Sequence, residues 1–96
     1  MADMIVANTI LRQLGGNRFA AMTGAKNFVG SKDALNFKIG RNAAKIASVN
    51  IRLNNWDLYD MTFYRANCKI ENVEEMICAD DLERIFTSNT GMDTRL

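Results

Sequence analysis

The chain has no histidine and no proline. Without histidine it lacks the commonest general base at neutral pH and the commonest metal ligand. Without proline, no segment reads as a stiff linker. Cysteine is scarce: Cys68 and Cys78 cannot by themselves make a four-ligand zinc site, and with no secretory signal beside them they read as two reduced thiols. Aromatic residues are 8% of the total. No apolar run approaches the roughly 20 residues of a membrane span. The opening Met-Ala-Asp-Met-Ile-Val-Ala-Asn has no basic region ahead of an apolar stretch, so the expected location is the cytoplasm.

What remains is ordinary for a folded domain. The 96 residues are 48% apolar and 24% charged, enough for one core but not two, so residues 1–96 are read as a single domain. Net charge is +1, unevenly spread. Residues 1–55 carry eight basic side chains against two acids, a net of +6, and residues 56–96 carry four against nine, a net of −5. Such a division suits either a basic surface for an anionic partner or mutual neutralisation of the halves in the fold.

Three alternating runs between residues 32 and 65 organise the rest. Leu35, Phe37 and Ile39 alternate with Asn36 and Lys38, predicting a strand over 34–39. Ala47, Val49, Ile51 and Leu53 alternate with Ser48, Asn50 and Arg52. In 58–65, Tyr59, Met61 and Phe63 share one face, and Leu58, Asp60, Thr62 and Tyr64 the other, so both faces are partly apolar. Gly40-Arg41-Asn42 and Asn54-Asn55-Trp56-Asp57 read as the turns between them, the second because Asn tolerates positive φ. Residues 67–78 alternate weakly, consistent with a short further strand. Glu71, Glu74 and Glu75 form an acidic patch there without EF-hand spacing.

A helix is predicted at each end. Over 3–14, Met4, Ala7, Leu11 and Leu14 recur at helical spacing, with Ile10 widening the stripe, Asp3 as N-cap and Gly15-Gly16 as the stop. Arg12 is its single base, too little for an anionic lipid surface. Over 80–89, Leu82, Ile85 and Phe86 form the stripe, Asp80 and Glu83 the acidic relative of a capping box, and Gly91 the C-terminal stop. Residues 18–23 are read as a first strand, although Ala20 and Ala21 suit a helix equally well. The next five, between Gly24 and Gly30, suit a loop or a short strand. Gly24 and Gly30 ahead of Ser31-Lys32 do not have P-loop spacing, and no helical pattern follows.

The run Leu14-Gly-Gly-Asn-Arg-Phe-Ala-Ala-Met-Thr-Gly-Ala-Lys-Asn-Phe-Val-Gly resembles a group of small proteins of bacteriophages and mobile elements. Ala79-Asp-Asp-Leu-Glu-Arg-Ile-Phe-Thr-Ser-Asn-Thr-Gly-Met is similar to their acidic-start terminal helix ending in Thr-Gly. The resemblance covers most of the chain. It implies a phage or mobile-element source and carries over no functional residue.

The expected fold is α+β: an N-terminal helix, an antiparallel meander of three or four strands and a C-terminal helix, with both helices on one face of the sheet. They should bury Leu11, Leu14, Leu82, Ile85 and Phe86 against Phe37, Val49, Ile51 and Phe63. No nucleophile–base pair or metal-ligand cluster can be named, so no catalytic residue, cofactor or metal is expected. The expected function is a non-catalytic binding or adaptor module for a host or phage protein, or a homodimer, with no membrane partner. The alternative is nucleic acid, bound on the basic face of the meander. For either partner the candidate surface is Lys38, Arg41, Lys45, Asn50, Arg52, Trp56 and Tyr64, because cations contact phosphate and exposed aromatics stack on bases.

Overall fold

The computed structural model describes residues 5–42, 44–67 and 69–92. In chain order it contains α1 (Ile5–Leu14), α2 (Asn17–Thr23), β1 (Lys26–Gly30), β2 (Ala34–Lys38), β3 (Ser48–Leu53), β4 (Tyr59–Tyr64), β5 (Ile70–Ile77), a single 3₁₀ turn (Ala79–Asp81) and α3 (Leu82–Thr90). The five strands form one antiparallel sheet in the order β1-β2-β3-β4-β5. The fold is the α+β arrangement expected, with five strands instead of three or four.

Period-two alternation builds the sheet's interior face. Leu35 and Phe37 on β2, Val49 and Ile51 on β3, and Tyr59, Met61 and Phe63 on β4 are all buried. Cross-strand register stacks them in rows: Phe37, Val49 and Phe63 in one, Leu35, Ile51 and Met61 in the next. Ala7, Ile10 and Leu14 of α1, Phe19 of α2, and Leu82 and Phe86 of α3 close over those rows. Three aromatic rings lock the layers together. Phe19 meets Phe37 edge-on at 5.4 Å and Phe86 at 5.1 Å, and Phe37 lies 6.5 Å from Phe86. Phe28 reaches in from the edge strand to Phe37 at 5.5 Å.

One element differs from the sequence reading. Residues 18–23 are not a strand but part of helix α2. Phe19 and Thr23 are its buried residues, four apart, and the Thr23 hydroxyl donates to the Phe19 carbonyl at 2.8 Å. Helical spacing therefore decides the segment, and Ala20 and Ala21 act on their propensity. Gly24, at φ 68°, ends it in the left-handed conformation glycine adopts freely. The strand follows at once as β1, which leaves Lys26–Gly30 as a sheet edge.

Other boundaries move for local reasons. A 3₁₀ turn precedes α3, so Asp81 occupies the N-cap position in place of Asp80, and its side chain makes no capping hydrogen bond. Gly91 ends α3 as expected, its N–H donating to the Thr87 carbonyl at 2.8 Å. In the β3–β4 turn the positive φ falls on Asp57, not on an asparagine. Asn54 shapes that turn through its side chain, accepting from the N–H groups of Trp56 and Leu58 at 2.9 and 3.2 Å. Asp3, expected as the first helix cap, and Cys68 lie outside the described residues. Cys78 is a free, exposed thiol.

Among the described residues, Tyr59 is the buried ionisable group of this core. Burial pushes its phenol above the usual 10.0, and the neighbouring Gln13 side chain opposes that in part. The fold thus favours the neutral phenol. Its contribution is intact below pH 10 and is lost as pH rises through the higher folded value. Alkaline unfolding followed by circular dichroism should therefore set in later for Tyr59→Phe than for the native chain.

Candidate nucleic-acid and partner interface

All three described helices pack on one face of the sheet, so among the described residues the other face is open. Strand register identifies its residues. Asn36, Asn50, Thr62 and Val73 form one row across β2 to β5, and Lys26, Lys38, Ser48, Tyr64 and Ile70 a second row nearer one end. Ala34, Arg52 and Asp60 align toward the other end. The centre of this face is polar, while its two edge strands carry exposed apolar side chains: Val29 on β1 is 63% exposed, and Ile70 and Val73 on β5 are 55% and 44% exposed. Both edges thus combine unpaired backbone groups with apolar side chains, a combination that invites another chain.

β5 is irregular near its end. One extra residue lies between the Tyr59–Ile77 and Met61–Glu74 pairs, and Met76 has φ 58°. Asp60 holds this bulge, its Oδ1 accepting from the Met76 N–H at 3.0 Å. Bulges of this kind twist an edge and limit unwanted pairing. Of the acidic patch on β5, Glu71 pairs with Arg65 and Glu74 accepts from the Asn89 side chain at 3.1 Å. These two carboxylates answer to different partners.

The seven candidate residues separate into two groups. Lys38, Asn50, Arg52 and Tyr64 share the open face, as the alternation requires. Arg41 and Lys45 lie in the connection from β2 to β3, at the Lys38 end. Asn42 shapes that connection: its Nδ2 donates to the Gly40 and Ile46 carbonyls at 3.0 and 2.7 Å, and its Oδ1 accepts from the Ile46 N–H at 3.0 Å. Lys45 follows at φ 61°. Trp56, 70% exposed, projects from the β3–β4 turn at the far end of the sheet, away from Lys38 and Lys45. Arg52 is also toward that end, within 3.4 Å of Asp33 and opposite Asp60. The sheet therefore unites Lys38, Arg41, Lys45, Asn50 and Tyr64, and sets Arg52 and Trp56 apart among acids.

Three further cations join the Lys38 end, and sequence spacing alone does not single them out. Lys26 lies directly across from Lys38. Arg65 and Lys69 sit in the β4–β5 turn, which closes at the same end because antiparallel strands alternate in direction. Lys45, Arg65, Glu71, Asn72 and Asn89 together line a polar cleft of 570 Å³ between the two connections and the end of α3. On the open face beside this end, Asn36, Ser48, Asn50 and Tyr64 line a smaller depression of 220 Å³. The signal available in the sequence is that each added cation lies at or next to a strand terminus.

The fold gives the uneven charge a direction. Asp33, Asp57, Asp80 and Asp81 all fall at the end of the sheet opposite Lys38, in the β1–β2 and β3–β4 turns and just beyond β5. Of the ion pairs among the described residues, Arg52–Asp33 lies within the basic first half, and Arg65–Glu71 and Arg84–Asp81 within the acidic second half. None of the three joins the two halves. Such exposed pairs are worth at most about 1 kcal/mol each.

No helix among the described residues is long and apolar enough to cross a membrane. In comparisons with known proteins, no family model, curated protein or solved structure matches this chain.

Proposed function

We propose that this chain is a small, non-catalytic binding module of phage type. It acts in the host cytoplasm, and the uncovered face of its sheet receives a protein partner: a host or phage protein, or a second copy of itself. The observation that carries this reading is the pair of edge strands, which expose Val29, Ile70 and Val73 around a face that no helix covers among the described residues. Fully burying one such side chain contributes about 1.5–3 kcal/mol, and an edge strand can add backbone hydrogen bonds to the same contact. Purified protein should sediment as a dimer, or retain a specific bacterial protein on a column. Val73→Asp should abolish that association without unfolding the chain, since the residue faces solvent. A strict monomer that retains nothing would end this reading.

Nucleic acid is the second reading, favoured by a separate observation. Lys26, Lys38, Arg41, Lys45, Arg65 and Lys69 gather at one end of the sheet, with Glu71 paired to Arg65 beside them. Phosphate attracts such a cluster from solution, and the attraction weakens with salt.

A further inference from the structure

We infer that the cationic end of the sheet is a binding site for single-stranded nucleic acid, with the phosphate chain running across the strand termini and one base seated in the depression beside Tyr64. This inference rests on the nucleic-acid reading and deepens it.

The row Lys26–Lys38–Ser48–Tyr64–Ile70 crosses all five strands. Four inter-strand spacings of about 4.8 Å give it a length of roughly 19 Å, enough to meet several successive phosphates. Lys26 and Lys38 face each other across an antiparallel pair, where like charges repel. A bound anion relieves that repulsion. Of the six cations, Arg65 has an ion-pair partner among the described residues, and the other five have none.

The depression lined by Asn36, Ser48, Asn50 and Tyr64 adjoins Lys38. At 220 Å³ it falls below the ~300–1,000 Å³ of pockets for drug-sized ligands, which suits a single planar ring better than a larger molecule. Two amides and a hydroxyl can pair with the edge of an unstacked base, and the half-buried Tyr64 ring can stack on it. A duplex keeps its bases stacked inside and cannot use this depression, so the combination selects single strands. An acidic protein would satisfy the cations but leave the depression unused.

Fluorescence anisotropy tests the assignment, using a labelled single strand of about 20 nucleotides, the matching duplex and poly-glutamate as competitor. If four of the six cations contact phosphate, log K falls against log salt with a slope of about −2.8, an approximately 50-fold loss from about 50 to 200 mM salt. Lys26→Gln with Lys38→Gln should make the slope shallower by about 1.4. Tyr64→Leu, which keeps apolar bulk, should weaken single-strand binding at least about fivefold. Arg52→Gln, at the acidic end, should change affinity less than about twofold, since its charge is already offset by Asp33. Thermal melts confirm that each variant is folded. No binding at the lower salt would overturn both the nucleic-acid reading and this inference. Equal affinity for the duplex, or unchanged binding by Tyr64→Leu, would overturn the single-strand site while leaving nucleic acid as ligand. Full displacement by poly-glutamate at equal charge would show a patch for acidic protein and overturn the inference. A slope unmoved by the two lysine changes would do the same.

Discussion

Phe37→Ala lowers the melting temperature by at least about 12 °C. Phe37 is 1% exposed and sits where three other rings converge: Phe19 edge-on at 5.4 Å, Phe28 at 5.5 Å and Phe86 at 6.5 Å. Removing the ring forfeits its transfer free energy and leaves a cavity between sheet and helices, a cost of about 3–5 kcal/mol. At about 4–8 °C per kcal/mol for a domain of this size, the lower bound already gives the stated shift. A chain of 96 residues has roughly 5–14 kcal/mol of total stability, so this one change removes a large share. Phe37→Leu should cost less than half as much, because leucine refills most of the volume. Calorimetry on the two variants checks both values. A Phe37→Ala shift below about 5 °C would mean that the aromatic cluster does not hold the helices to the sheet.

Gly24→Ala is the second large effect, and here the mechanism can be separated into parts. Gly24 has φ 68°, where an L side chain costs about 1–2 kcal/mol. An added Cβ would also stand 3.3 Å from the Gly40 Cα and 3.4 Å from the Gly40 N, and both of these are backbone atoms. Overpacking of that kind costs about 1–3 kcal/mol, so about 2–4 kcal/mol is expected in all. Two other glycines isolate the contributions. At Gly91, φ 75°, an added methyl group would meet nothing within 4 Å, so Gly91→Ala should show the conformational cost alone. Gly40 is crowded by the Thr23 carbonyl at 3.2 Å but has no positive φ, so Gly40→Ala should show the packing cost alone. Urea titration of the three variants should rank Gly24→Ala as the most destabilised. Equal losses at Gly24 and Gly91 would mean the close approach is soft.

That approach also connects stability to the proposed binding surface. Gly24 and Gly40 bring the end of α2 against the β2–β3 connection, and the Gly40 N–H donates to the Thr23 carbonyl at 2.9 Å. The same connection carries Arg41 and Lys45, while β1 begins two residues after Gly24 with Lys26. A change at this contact should therefore disturb several of the six cations together, although neither glycine bears a charge.

Much of the fold is legible in the chain because alternation and burial share one cause. On β2, β3 and β4 every second residue is apolar, and water excludes the same residues whatever covers them, so Phe37, Val49, Ile51 and Phe63 can be placed in the core directly. Residues 18–23 mislead because a short run with alanines fits either period. Only the packing of Phe19 against Phe37 and Phe86 selects the helical one. β5 is faint because it is an edge strand, most of whose side chains face water and so leave little alternation to detect.

Residue order alone dictates which side chains are apolar at alternate positions, that Lys38 and Arg52 must share a face, and that the first half is cationic. How those charges are grouped is settled by folding. Strands that reverse direction at each turn bring Lys26, Lys38, Arg41, Lys45, Arg65 and Lys69 to one end from separate parts of the chain, and carry Arg52 and Trp56 to the other. Distance along the chain cannot report that grouping, because electrostatic attraction depends on separation in space, and only strand pairing sets it.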